Sequence, residues 1–218
     1  MDIEINIEVI SPIHLGSGRE DVNLDAEVVH DACGLPYFPA KRFKGLLYES
    51  ALEVVEMSGL SGCGLISETT LKELFRHDDT PSDVQLVVSD FYIRPEDEYR
   101  KYYRELRLLQ EYCPELLRPS DVLEEFTSVR YQTQLKDGVV TDGSLHNMRV
   151  VNAGVVFRGK VEMTGGDERH LQAFALALRN LTAAGLKRNR GFGRIRCSMA
   201  DTEKERALLS AALGEGVA

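Results

Sequence analysis

The sequence lacks any apolar run approaching the roughly 18 to 20 residues that a membrane-spanning helix needs. Its opening, M-D-I-E-I-N-I-E-V-I, has neither the basic flank nor the apolar centre of a secretory signal. A cytoplasmic location with no membrane partner is the resulting expectation. The four cysteines, Cys33, Cys63, Cys113 and Cys197, never fall in a C-x-x-C spacing, which leaves no basis for a disulfide framework or a zinc knuckle. Reduced thiols are expected, and a zinc site drawing on distant cysteines and His77 has no spacing to support it. Internal repeats and low-complexity tracts are also missing. Nor is there an excess of positive charge. The 26 Lys and Arg against 35 Asp and Glu leave a formal net charge of -9, which excludes indiscriminate nucleic-acid binding through a broad basic surface.

What is present suits a single domain with a sizeable core: 218 residues, 43% hydrophobic and 28% charged. The basic residues are focused. Lys187, Arg188, Arg190, Arg194 and Arg196 stand in one acid-free stretch, and Lys41, Arg42 and Lys44 in another. An acidic body with narrow basic strips fits a groove binder whose other faces repel nucleic acid.

Periodicity gives the elements. Ile3, Ile5, Ile7 and Val9 alternate with Glu4, Asn6 and Glu8, which predicts a half-buried strand. Residues 40–57 repeat apolar positions near a 3.6 period and predict a helix, with Pro39 suited to its start. Residues 25–31 are ambiguous, and 58–83 form a connector holding the short helix T-L-K-E-L-F. Residues 84–93 read as one strand. Residues 95–125 are charged and helical, interrupted at Pro114 and Pro119. Residues 126–150 form a polar hairpin with two D-G turns and too few apolar residues for a core. A strand follows at 153–163, a helix at 167–184 capped by Gly185, a strand at 191–199 and a helical tail. The order strand, helix, strand, insertion, strand, helix, strand is that of an α+β ferredoxin-like (βαββαβ) fold, which also underlies RNA-recognition domains.

Four segments carry chemistry. In G-L-K-R-N-R-G-F-G-R, Gly185, Gly191 and Gly193 let backbone N–H groups approach phosphate, Lys187, Arg188 and Arg190 add charge, and Phe192 is placed to stack on a base. F-P-A-K-R-F-K-G puts Lys41, Arg42 and Lys44 at a helix N-terminus, where acids are normally favoured and a bound phosphate would explain bases instead. I-H-L-G-S-G offers His14, which suits a packed core position as well as a ligand, with Gly16 and Gly18. The polar arm carries Arg130, Tyr131, His146, Met148 and Arg149, suited to clamp or wedge a strand and equally, by composition alone, to an ordinary surface loop. The RNA path is expected to run along the sheet.

H-L-G-S-G, L-P-Y-F-P-A-K-R-F-K-G-L-L, D-G-S-L-H-N-M-R-V-V-N-A-G-V-V-F-R-G-K-V and G-L-K-R-N-R-G-F-G-R-I, in this order, resemble the RAMP superfamily of CRISPR-associated proteins. The likeness is strongest to the backbone subunit of type III effector complexes. It implies an RNA-recognition-like palm (1–57, 84–93, 153–200), a helical insertion at 94–125, a thumb hairpin at 126–150 and a tail at 201–218. It implies guide RNA, complementary target RNA, further copies in a filament and other effector subunits as partners. It places Asp25 at the position of the family's target-cutting aspartate, with Asp31 as a second acid nearby. RNA brings its own 2′-hydroxyl nucleophile, so the protein need mainly hold the backbone in line. Asp25 would then place Mg²⁺ or assist deprotonation, and no zinc is expected. A non-catalytic guide-binding subunit and a stand-alone guide-processing endoribonuclease using His14 or another histidine are the alternatives.

Overall fold

The computed structural model describes residues 1–18, 24–76, 80–133, 135–136, 139–140 and 146–214. His77, both D-G turns of the arm and the last residues of the tail lie outside these.

Four strands make the ferredoxin-like core: β1 (Asp2–Val9), β3 (Gln85–Val88), β9 (Val156–Thr164) and β10 (Ile195–Met199). They lie in the order β10-β1-β9-β3, every neighbour antiparallel. Two short strands, β2 (Tyr37–Phe38) and β4 (Phe91–Tyr92), extend the sheet beside β9. The alternation in β1 works as expected: Ile3, Ile5, Ile7 and Val9 are buried, and Ile7 sits opposite both Phe157 and Cys197.

The buried face is covered by helices α1 (Ala40–Ser61), α2 (Glu68–Phe75), α5 (Glu168–Asn180) and α6 (Thr202–Leu213). Along α1, Phe43, Leu47, Ser50, Val54 and Ser58 return to one side at intervals of three or four. They meet Ala173, Phe174, Ala177 and Leu178 of α5 in the same core. Small α5 residues bring the helices close enough for Ser50 Oγ to donate to the Ala177 carbonyl at 2.8 Å. Phe38, Phe43, Phe91 and Phe157 cluster beneath, with Phe43 and Phe91 rings 4.5 Å apart. Each such buried ring contributes about 1.5–3 kcal/mol.

The insertion supplies α3 (Glu96–Tyr112) and α4 (Pro119–Phe126), separated where Pro114 and Pro119 were expected to interrupt it. They pack on Cys33 and Leu35 through Leu106 and Val122. The arm pairs β5 (Thr127–Gln132) with β8 (His146–Val151), and β6 (Leu135–Lys136) with β7 (Val139–Val140) further out. Its base is not polar, because Met148, Val150 and Val151 are buried.

Three expectations need correction. The strand at 84–93 breaks at Ser89–Asp90, because Asp90 Oδ1 turns away to accept from Ala40 N at 2.7 Å. The helix expected to 184 stops at Asn180, so Gly185 does not cap it. The chain there turns back so that Thr182 O accepts from Ile195 N and Ala183 bridges Arg194. Residues 191–194 are likewise loop, and the last sheet strand begins at Ile195.

Candidate RNA interface

The glycine-rich loop, the H-L-G-S-G loop, the Asp25 segment and the thumb base meet at one end of the sheet. Glycine is required twice. Gly185 has φ +79° and a Cβ there would lie 2.6 Å from the His14 carbonyl oxygen, and Gly193 has φ +77° with a Cβ 2.0 Å from Ala184 O. Both close approaches are pinned by hydrogen bonds, Leu186 N to His14 O at 3.2 Å and Ala184 N to Gly193 O at 2.8 Å. Between them runs a 3₁₀ turn, Arg188–Arg190, entered by Lys187 in the left-handed region.

The thumb strand β8 holds the Asp25 segment edge-on. Ala26 bridges Met148, and Arg149 N donates to Ala26 O at 3.0 Å. Asp25 N donates to Asn147 Oδ1 and Asn147 N donates to Asp25 Oδ2, both at 2.8 Å. His146 Nδ1 lies 3.5 Å from the same carboxylate oxygen. Two positions on, Arg149 Nε donates to Glu27 Oε2 at 3.1 Å, the pair only 15% and 12% exposed. These contacts border an open cavity of about 160 Å³, lined by His14, Asp25, His146, Asn147, Leu186 and Lys187. Lys187 also reaches Gln132 on the opposite thumb strand.

The expected residues divide. Asp25, His146 and Lys187 converge on the cavity with exposed side chains. His14 lines it from beneath, 2% exposed. Its Nδ1 is 2.7 Å from Arg149 O, and since a carbonyl only accepts, Nδ1 carries the proton. Gly16 fits over this ring, a Cβ there lying 2.8 Å from Nε2, while Gly18 faces open space. Arg130 is exposed on β5 opposite Met148. Arg190 and Gly191 are exposed and Phe192 is half-buried.

Several of the others are engaged in holding the fold. Arg149 forms the ion pair just described and also donates to Thr127 Oγ1 at 3.3 Å. Arg188 is exposed and lines a crevice together with Glu49 and Glu53 of α1. Arg196 pairs with Glu8 on the open sheet face at 3.0 Å. At α1, Lys41 is exposed, but Arg42 donates to Gly16 O at 2.9 Å and Lys44 to Leu86 O at 3.0 Å. Burial, with the nearby Arg76 charge adding to it, holds the Lys44 pKa below its ordinary value. The helix N-terminus expected to receive a phosphate is therefore already met by the Asp90 carboxylate.

Asp31 is also accounted for structurally. Its Oδ1 accepts from Cys33 N and Leu35 N at 2.8 and 2.9 Å, and its Oδ2 accepts from Tyr99 OH at 2.6 Å. The residues that sequence reasoning missed are Glu27, Gln132, Asn147 and Leu186. Each stands within two positions of an expected residue: Glu27 near Asp25, Gln132 near Arg130, Asn147 beside His146 and Leu186 beside Lys187.

RNA was expected to run along the sheet, whose open face carries paired charges. That face presents Glu4 near Lys160 (4.0 Å) and Glu8 against Arg196, cross-strand pairs that cancel charge. The unbalanced bases stand at the sheet's end instead. No group of three or more His, Cys, Asp or Glu side chains suited to a metal occurs among the described residues.

Comparison with solved structures finds the same fold at low identity. One chain of a type III-B Cmr-beta cryo-EM structure bound to cognate target RNA is 12% identical with a TM-score of 0.64, over 96% of this chain and 99% of that one. A chain of the apo-state Cmr-beta structure is 12% identical with a TM-score of 0.64, over 92% and 98%. No curated protein matches the sequence. The family model of the RAMP superfamily matches residues 6–196, a span that contains the glycine-rich loop, the thumb and Asp25: the protein belongs to the RAMP superfamily.

Proposed function

We propose that this protein is a guide-RNA-binding backbone subunit of a type III CRISPR effector complex that cuts complementary target RNA through Asp25. The observation that carries it is the meeting of Asp25, His146 and Lys187 around one open cavity between the glycine-rich loop and the thumb base. Membership of the RAMP superfamily and the fold likeness to a chain of a target-bound Cmr-beta complex support the setting. Lys187, with Arg190 exposed beside it, holds sugar-phosphate backbone with little regard to sequence. Asp25 assists removal of the 2′-hydroxyl proton; once the strand is held in line that oxygen bonds to the adjacent phosphorus as the P–O5′ bond breaks, leaving a 2′,3′-cyclic phosphate and a 5′-oxygen that takes a proton from water.

Mg²⁺ fits this site through one carboxylate. Asp25 is the carboxylate that would hold it, with water and RNA phosphate as the remaining ligands, a usual arrangement for this ion. Bound there, the ion supplies neutralisation of the phosphate charge.

The assembled complex, given complementary RNA and Mg²⁺, is expected to yield evenly spaced products that Asp25→Ala abolishes while guide RNA stays bound. The same products from both proteins would leave only the non-catalytic guide-binding role. The stand-alone processing enzyme draws no support from His14, whose ring is buried and held by the Arg149 carbonyl.

A further inference from the structure

Asp25 presents a problem for any role in cutting. Its side chain is 56% exposed and comes from a segment that forms single bridges rather than a strand. A carboxylate so placed samples several rotamers unless something fixes it, and misplacement by about 1 Å can cost on the order of a hundredfold in rate. The fixing group is visible across the thumb base. Asn147 accepts from the Asp25 amide through Oδ1 and donates its own amide to Asp25 Oδ2, each at 2.8 Å. One bond sets the backbone of Asp25 and the other its carboxylate, so the residue is held at both ends by a single partner 122 positions away.

We propose that Asn147 is the positioning residue for Asp25, tying its backbone and its carboxylate to the thumb strand. The inference rests on the reading of Asp25 as the cutting group. The neighbouring contacts continue the same seam: Ala26 bridges Met148, Arg149 N donates to Ala26 O, and Glu27 pairs with Arg149. Asp25 and Ala26 thus follow β8, while Glu27 and Val28 also pair with Ser17 and Gly16. With Oδ2 engaged by the Asn147 amide and facing His146, Oδ1 has no hydrogen-bond partner among the described residues. It is the oxygen left to meet a substrate hydroxyl or an ion-bound water. Only the bond to Oδ1 of Asn147 depends on the side chain, and it is the one that fixes where the Asp25 backbone sits.

The test uses the assembled complex with guide and complementary RNA, in four forms: wild type, Asn147→Ala, Asn147→Asp and Asp25→Ala. Asn147→Ala is expected to leave guide and target affinity unchanged, to lower the single-turnover cleavage rate about tenfold, and to speed amide hydrogen exchange across residues 24–28. Asn147→Asp keeps an acceptor at the same reach. It is expected to restore exchange protection and most of the rate. Wild-type cleavage by Asn147→Ala overturns the proposal, as does a slow rate matched by an equal loss of RNA affinity, which would mark a merely structural role. An Asn147→Asp protein as slow as Asn147→Ala overturns it too. If instead Asp25→Ala cuts like the wild type, the catalytic reading beneath the proposal is what fails.

Discussion

Arg149 stood among the expected RNA contacts, yet its surroundings assign it to the fold, and the two roles predict opposite results. Its guanidinium pairs with Glu27 where both side chains are at least 85% covered, and it donates as well to Thr127 Oγ1. Arg149→Ala removes the cation and leaves the Glu27 carboxylate, among the described residues, with the Val28 amide, 2.7 Å from Oε1, as its remaining donor. Breaking a fully buried pair costs about 3–5 kcal/mol, and the residual exposure here brings that to about 2–3 kcal/mol. For a chain of this size each kcal/mol lowers Tm by about 2–4 °C, so a fall of roughly 5–10 °C is expected in a calorimetric or dye-binding melt. Glu27→Gln in the same background removes the stranded charge and should recover part of the loss, a coupling that a double-mutant cycle measures directly. The RNA readout runs the other way. Lys187→Ala is expected to flatten the dependence of log K on log salt by about 0.7, one single-strand phosphate contact, whereas Arg149→Ala leaves that slope alone. An Arg149→Ala protein that melts with the wild type but binds RNA with a flattened salt slope would refute the reasoning.

Two other perturbations follow from local geometry. Gly193→Ala and Gly191→Ala both place a side chain at positive φ, costing about 1–2 kcal/mol, but only at position 193 does the new Cβ meet backbone, 2.0 Å from Ala184 O. Urea unfolding should therefore find Gly193→Ala several-fold more destabilised than Gly191→Ala; equal losses would mean that the close approach is not there. Asp167 caps α5, and the Arg169 guanidinium, with the His170 amide and ring adding to it, holds its carboxyl far below the ordinary value of 3.8. A carboxyl so held binds its proton more weakly folded than unfolded, so its contribution is present above that value and lost as pH falls below it. Asp167→Asn should lower the urea midpoint near neutral pH and make its decline below about pH 4 shallower, which unfolding curves at a series of pH values will test.

Much of the fold was legible because it is written in local period. The two-residue alternation of Ile3 to Val9, the helical spacing in 40–57 and the prolines at 114 and 119 each declare an element without reference to the rest of the chain. The order of those elements then gave the sheet. What was not legible depends on partners far away in sequence. Nothing near Asp90 says that its carboxylate will cap a helix 50 positions earlier and so split a strand in two. Nothing near Lys44 says that its ammonium will turn to the Leu86 carbonyl. The candidate site suffers most, because Asp25–Asn147 and Glu27–Arg149 are both contacts over 122 positions. Period and composition found the segments that meet; they did not find which side chains within them would be consumed in making them meet.

That consumption explains how a chain of net charge -9 can present a basic site at all. Of the five bases between 187 and 196, Arg196 is balanced by Glu8 across the sheet and Arg188 sits beside Glu49 and Glu53 in the crevice along α1. Arg42 is drawn to Gly16 O, Lys44 to Leu86 O and Arg149 to Glu27. The pairs with Glu8 and Glu27 add little stability when exposed, but they cancel charge that could attract phosphate elsewhere, whereas the carbonyl bonds of Arg42 and Lys44 fix those side chains in the fold. Lys187 is held against the neutral amide of Gln132 on the thumb, so its charge is oriented without being cancelled. It shares its cavity with Asp25. Lys187 thus keeps an uncancelled charge beside a carboxylate that the thumb holds in place, and under the proposed function attraction and chemistry coincide there.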